Sequence, residues 1–312
     1  MLKVLFIDSV HPLIKEELSS MGFQCDYFPG YGRKELEAVV AGYEGIIIRS
    51  RIILDKAFLD QAPGLKFIGR VGSGMENIDV EYAKSRGVAC LNSPEGNRDA
   101  VGEHALGMLL NLVNHINRAD RQIRQGKWIR EGNRGTEIMG KVIGIIGYGN
   151  TGGAFAKKLK GFEAEVIACD KYKTGFSDAC VKEVSIDELQ ERCDIASFHV
   201  PLTAETWFMA DEHFFSGFRM NIILINTSRG QVVKTSALVS CLKSGKITAA
   251  ALDVLEYEDA SFEDIKMDMP ADLEFLLNAE NVLLTPHIAG WTVESNIKLA
   301  RALVEKIKAV LY

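Results

Sequence analysis

The residues best suited to chemistry begin at an apolar run, Val142-Ile-Gly-Ile-Ile146, that feeds directly into Gly147-Tyr-Gly149-Asn150-Thr151-Gly152. This is a G-x-G-x-x-G turn followed by Ala154-Phe-Ala-Lys-Lys-Leu159, a segment of helical character. In such a turn Gly147 permits the tight reversal, Gly149 lets the backbone approach a diphosphate, and Gly152 lets helix and strand pack closely. The N–H groups of Asn150 and Thr151 would then open a helix whose positive end faces the anion. A second apolar run, Glu165-Val-Ile-Ala-Cys169, ends in Asp170, 18 residues beyond Gly152. An acid there accepts hydrogen bonds from an adenosine ribose and repels a 2′-phosphate, so the expected dinucleotide is NAD, with Lys171 and Lys173 as the residues that complicate the preference.

Further downstream, Ile225-Asn-Thr-Ser-Arg229-Gly230, Leu252-Asp253-Val-Leu-Glu256-Tyr-Glu258 and Leu284-Thr-Pro286-His287 each follow a strand-like run. Open α/β sheets gather ligands at the carboxyl ends of their strands, so an Arg, an acid and a His are expected at one edge. Reduction of a 2-keto acid needs that set. The guanidinium clamps a carboxylate and polarises the carbonyl, the imidazolium delivers a proton, and the carboxylate holds the imidazolium charged and aimed. Glu256 and Glu258 are rivals for the acid.

Short apolar runs at 2–7, 45–48, 66–69, 142–146, 165–169, 194–198, 222–225, 247–252 and 281–284 alternate mostly with segments of helical spacing. That alternation predicts an α/β protein with parallel sheets, in two series split by one long helix over 98–125. A second helix, about 292–310, closes the chain. The acidic stretch 256–274 is expected as a solvated loop with one short helix. The length of 312 residues, 47% apolar and 25% charged, suits two globular domains. With 36 Lys and Arg against 42 Asp and Glu, the net charge of −6 removes the bulk attraction of a dedicated nucleic-acid or anionic-membrane binder. No apolar run approaches a membrane span, and the first one stops at Asp8, too early for a signal-peptide core, so a cytoplasmic protein is expected. Six cysteines without a Cys-x-x-Cys pair read as buried free thiols, not as a metal site or disulfide framework. His104 and His115 read as helix-face residues making hydrogen bonds, and His11 and His213 as helix-start residues.

Over nearly its whole length the sequence resembles the D-isomer-specific 2-hydroxyacid dehydrogenase family. The Gly-rich turn with Asp170, His199-Val-Pro201-Leu-Thr203-Ala-Glu205-Thr206, Asn226-Thr227-Ser-Arg229-Gly230, Asp253 to Glu258, and Pro286-His287 stand in the family's order. The resemblance implies catalytic Arg229, Glu258 and His287, Glu258 being favoured over Glu256 by its spacing of five from Asp253. It also implies cofactor contacts from His199, Pro201, Thr227 and Asp253. The family usually places Pro after the catalytic Glu; here Asp259 follows, which leaves that turn less rigid.

In the first series, Arg70-Val-Gly-Ser73-Gly74-Met-Glu-Asn77 resembles the family loop that binds the substrate carboxylate. The resemblance further implies two Rossmann-like domains, with 99–287 as an NAD-binding domain inserted into a substrate domain made of 1–98 and 288–312, and a homodimer built on the crossing helix. Arg49-Ser50-Arg51 resembles the segment that phosphoglycerate dehydrogenases use for the substrate phosphate, and Gly126-Lys127-Trp128 with Arg130 also resembles that subgroup; with Arg70 before the Gly loop these arginines form a cluster on the substrate side, and forks of guanidinium donors suit a dianionic substrate. Glycerate and lactate types, and an NAD-sensing corepressor of the same fold, are the alternatives. Because Tyr312 directly follows the last helix, appended regulatory domains are not expected.

Overall fold

A computed structural model describes residues 2–258 and 270–311. They divide into two units, residues 2–98 with 291–311 and residues 99–258 with 270–290.

The first unit is a five-stranded parallel sheet of β1 (Lys3–Phe6), β2 (Gln24–Tyr27), β3 (Gly45–Ile48), β4 (Phe67–Arg70) and β5 (Ala89–Asn92), in the order β2-β1-β3-β4-β5. Its connecting helices are α1 (Pro12–Ser20), α2 (Arg33–Val39), α3 (Lys56–Asp60) and α4 (Val80–Ser85). Their starts are legible: His11, Asp55 and Asp79 each accept a backbone N–H from the first turn that follows. The unit boundary falls inside α5 (Pro94–Asn114).

The second unit continues with α6 (Ile116–Arg124), β6 (Val142–Ile146), α7 (Asn150–Lys158), β7 (Glu165–Cys169), β8 (Lys182–Glu183), α8 (Ile186–Arg192) and β9 (Ile195–Phe198). It is completed by α9 (Glu212–Ser216), β10 (Ile222–Asn226), α10 (Thr235–Ser244), β11 (Ile247–Leu252), α11 (Ala271–Asn278) and β12 (Val282–Leu284). The seven strands are parallel in the order β12-β11-β10-β9-β6-β7-β8. The order reverses between β6 and β9, which places the β6 and β9 carboxyl ends at a topological switch point.

The last helix, α12 (Val293–Leu311), belongs to the first unit, where Leu299, Ala300, Leu303, Val304 and Ile307 join the core formed by Val4, Phe6, Ile47 and Phe67. Each of its larger apolar side chains contributes roughly 1.5–3 kcal/mol by burial.

The expected helix over 98–125 is two helices. His115 breaks it with φ +54, and the Val113 carbonyl so released accepts the Thr136 N–H at 2.8 Å. The residues 259–269, most of the acidic stretch, lie outside the described residues; α11 follows them. All six cysteines are free, but only Cys193 is fully buried. Among the described residues no helix is long and apolar enough to cross a membrane, and no His, Cys, Asp and Glu cluster is arranged to hold a metal.

Candidate active site

A dinucleotide cradle forms where β6 turns into α7. Gly147 has φ +93, and a Cβ there would lie 2.7 Å from the His199 carbonyl oxygen. A Cβ on Gly152 would lie 2.1 Å from the Gly147 oxygen, because α7 is pressed against the turn. Gly149 differs, since nothing lies within 4 Å of its Cβ position. Packing of the protein does not require glycine at 149, whereas close approach of a phosphate does. No side chain caps α7, so the N–H groups of Asn150 and Thr151 remain to receive an anion.

Asp170 stands at the end of β7. Its Oδ2 accepts the Tyr148 N–H at 2.7 Å, and its Oδ1 accepts those of Tyr172 and Lys173 at 2.9 and 3.0 Å. Both neighbouring lysines have partners: Lys171 pairs with Glu205 at 2.7 Å, and Lys173 donates to the Tyr148 carbonyl at 3.3 Å. Thr227 is buried and its Oγ1 has no hydrogen-bond partner among the described residues. His199 is buried with Nε2 2.9 Å from Ser197 Oγ and its ring tilted on Phe155. Burial pushes its pKa down to about 3, so the ring is neutral, and its backbone is what borders Gly147. Pro201 is exposed, its carbonyl accepting from Thr206 Oγ1 at 2.6 Å. The open space over Gly149, the uncapped amides, the unsatisfied Thr227 hydroxyl and the Asp170 carboxylate fit a dinucleotide.

The Arg, the acid and one His are set by three turns of the same unit. Asn226 braces the first: its Oδ1 accepts from Ser228 N–H and Oγ, and its Nδ2 donates to the Arg229 carbonyl at 3.0 Å. Gly230 lets this turn meet the next, since a Cβ would lie 1.9 Å from the Leu255 oxygen. The two rival acids have different partners. Glu256 accepts the Thr235 N–H at 2.9 Å at the start of α10, while Glu258 Oε2 lies 2.7 Å from His287 Nδ1. Glu258 Oε1 is held by the Leu255 N–H, which steadies the carboxylate although no Pro follows it. The third turn is tied to Asp253, which is 1% exposed and accepts the Ile288 and Ala289 N–H groups at 2.9 and 2.8 Å. The carboxylate expected to touch cofactor is therefore engaged in holding the His287 turn.

In the first unit, Asp8 organises the arginine segment, accepting the N–H groups of Arg49 and Arg51. Asn77 donates to the carbonyls of Arg49 and Ile52, which fixes the segment with Ser50 at its centre. Arg51 departs from the expected ligand role: its guanidinium pairs with Asp8 at 3.2 Å and donates to the carbonyls of Ile7 and Tyr31. Its donors fasten the loop to β1. Arg49 instead lies over the Trp291 ring at 3.9 Å, a cation–π contact that residue spacing does not reveal. Ser73 donates to Asn97 at 2.8 Å, Asn92 holds the Ser73 carbonyl, and Arg70 lies so close to Gly72 that a Cβ there would clash with it. Gly74 follows in this loop, and Arg130 is exposed in the second unit.

Residues 106–289 match the D-isomer specific 2-hydroxyacid dehydrogenase, NAD binding domain, and the chain belongs to that family. Its cofactor is accordingly NAD. The chain is 35% identical to a D-3-phosphoglycerate dehydrogenase of Archaeoglobus fulgidus over 98% of its own length and 56% of that protein's. It thus spans about half the length of such relatives. A hydroxypyruvate reductase of Thermotoga maritima is 34% identical over 88% of this chain and 87% of its own. Among solved structures, D-lactate dehydrogenase from Aquifex aeolicus complexed with NAD and lactic acid is 26% identical, with a TM-score of 0.83 over 98% of this chain and 94% of that one.

Proposed function

We propose that the chain is an NAD-dependent dehydrogenase interconverting a D-2-hydroxy acid and its 2-keto acid. The observation that carries this reading is the 2.7 Å pair of His287 and Glu258 in the unit that also holds Arg229 and the dinucleotide cradle. Bound nicotinamide supplies or accepts the hydride. Glu258 engages His287 Nδ1, so Nε2 is the ring nitrogen that exchanges a proton with the substrate oxygen. Arg229 polarises the carbonyl and holds the carboxylate. The backbone around Ser73 and Gly74 binds the carboxylate in the first unit, where Asn77, its amide committed to the Arg49 and Ile52 carbonyls, serves to hold the arginine segment; the first unit, residues 2–98 with 291–311, is then the substrate domain and the second the cofactor domain.

For the substrate we favour 3-phosphoglycerate. Arg49, stacked on the Trp291 ring, presents a planar guanidinium of the kind that suits a phosphate. The committed guanidinium of Arg51 narrows that reading to Arg49, with Arg70 and Arg130 as further cations. Assembly as a homodimer is supported by Ile116, Ile123, Trp128 and Ile129, all exposed on α6 and the segment after it. A cytoplasmic location fits the same metabolic role. The test is NADH oxidation with a panel of 2-keto acids. The expected order places 3-phosphohydroxypyruvate above hydroxypyruvate, glyoxylate and pyruvate in kcat/KM. Preference for an unphosphorylated acid would move the assignment to the glycerate or lactate type, and no turnover of any keto acid would favour the corepressor.

A further inference from the structure

His287 occupies the left-handed region with φ +54, a conformation an L-residue with a bulky side chain adopts only when its surroundings impose it. Residue 253 imposes it. The His287 N–H donates to the Asp253 carbonyl at 2.7 Å, and the next two N–H groups, of Ile288 and Ala289, donate to the two carboxylate oxygens. Three successive amides thus converge on one buried residue, and the orientation of the Asp253 carboxylate fixes the turn that presents His287 to Glu258.

The orientation of that carboxylate has its own origin. Thr285 Oγ1 lies 2.6 Å from Asp253 Oδ1, and His104 Nε2 lies 3.1 Å from Thr285 Oγ1 and 3.5 Å from Asp253 Oδ1. A carboxylate only accepts, so the single hydroxyl hydrogen of Thr285 goes to Asp253. The Met108 sulfur, 4.0 Å from the same hydroxyl, is the poorer acceptor. Thr285 Oγ1 is then an acceptor towards His104, and His104 must carry its hydrogen on Nε2. The result is a one-way chain of donors, from His104 on α5 through Thr285 at the end of β12 to Asp253 at the end of β11, in which each bond polarises the next.

We propose that His104 is a positioning residue for the dehydrogenase reaction, acting through Thr285 and Asp253 to hold the His287 turn. Its function is that of a hydrogen-bond donor through Nε2, and it touches neither substrate nor cofactor. The kinetic part of this inference rests on the function proposed above, whereas the geometric part does not.

The experiment compares His104→Leu, which removes the donor, with His104→Gln, whose amide NH2 can replace it, and with Thr285→Val, which interrupts the chain. His104→Leu and Thr285→Val are expected to lower kcat for keto-acid reduction about tenfold, with KM and the NADH Kd within twofold of wild type. The double variant is expected to lose no more than either single one, as members of one chain do. His104→Gln is expected to recover kcat to within about threefold. In parallel, protein labelled with 15N-histidine reports the Nδ1–H signal of His287, identified by its loss in His287→Asn. That signal should move in His104→Leu and Thr285→Val and stay in His104→Gln, while His104 itself shows the Nε2–H tautomer. Wild-type kcat in His104→Leu, equal losses in the Leu and Gln variants, or a Nδ1–H tautomer at His104 would each overturn the proposal. If no keto acid is turned over but the signals behave as stated, the positioning chain stands and the assigned reaction falls.

Discussion

Two alanine substitutions three residues apart should have opposite consequences. In Gly152→Ala the new methyl would lie 2.1 Å from the Gly147 oxygen and 3.1 Å from Ile145 Cγ2. Carbon and oxygen in contact need well over 3 Å, so α7 must retreat from the turn by about 1 Å, and overpacking of this kind costs roughly 1–3 kcal/mol. In Gly149→Ala the methyl meets nothing within 4 Å, so the fold should keep its stability or gain a few tenths of a kcal/mol from a stiffer unfolded chain. That methyl nevertheless occupies the space through which a diphosphate reaches the N–H groups of Asn150 and Thr151. Losing one hydrogen bond to a charged group costs about 1.5–3 kcal/mol, so the NADH Kd should rise roughly ten- to hundredfold. Urea unfolding followed by fluorescence, with NADH titration of each folded variant, separates the two effects. Gly149→Ala binding NADH as wild type does would refute the placement of the diphosphate, and unchanged stability in Gly152→Ala would refute the packing argument.

At the acid, Glu258→Gln should lower kcat for reduction by about 10²- to 10⁴-fold, the usual worth of a positioned acid–base pair, while Glu256→Ala should retain kcat and lose about 1 kcal/mol of stability as the α10 start gives up its acceptor; stopped-flow kinetics and thermal unfolding read the two. Buried His199, with its pKa at about 3 against about 6.5 in the unfolded chain, takes up a proton only on unfolding between those values. Stability should therefore be complete above about pH 6.5 and fall as pH drops towards 3, by at most about 1.4 kcal/mol per unit from this group, with a shallower dependence in His199→Gln. Arg51→Ala should destabilise the protein by roughly 1–3 kcal/mol, because Asp8 and two carbonyls lose a donor, whereas Arg49→Ala should lower kcat/KM for a phosphorylated substrate roughly ten- to hundredfold and that for an unphosphorylated one much less.

Apolar runs reveal the interior strands of both sheets and, of the edge strands, only β12, which reads Val-Leu-Leu. β2, β5 and β8 were not visible that way, and all three are edge strands: β2 reads Gln-Cys-Asp-Tyr and β8 is only Lys182–Glu183. An edge strand needs little apolar sequence, because one side of its ladder and part of its surface face solvent. The break at His115 left no trace in the periodicity either, since one left-handed residue between two helices changes the direction of the chain without changing its polarity pattern. At the site, residue types and order single out Arg229, an acid and His287 as candidates. What sequence could not supply was which polar groups are already spoken for. Glu256 and Glu258 differ only in partners, as do Arg49 and Arg51, and partners such as Thr235, Tyr31 and Trp291 are distant in the chain.

The place of α12 has a consequence for synthesis. Residues 2–98 are made first, but the core around Val4, Phe6 and Phe67 is closed by Leu299, Leu303 and Ile307. A translating ribosome must add about 200 more residues before that lid exists, which at roughly 5–20 residues per second is an interval of about 10–40 s. Meanwhile the contiguous second unit has all its strands. Residues 2–98 therefore precede the second unit in synthesis yet are completed after it, and through that interval the part of their sheet that α12 covers is open to chaperones and to the sheets of neighbouring nascent chains.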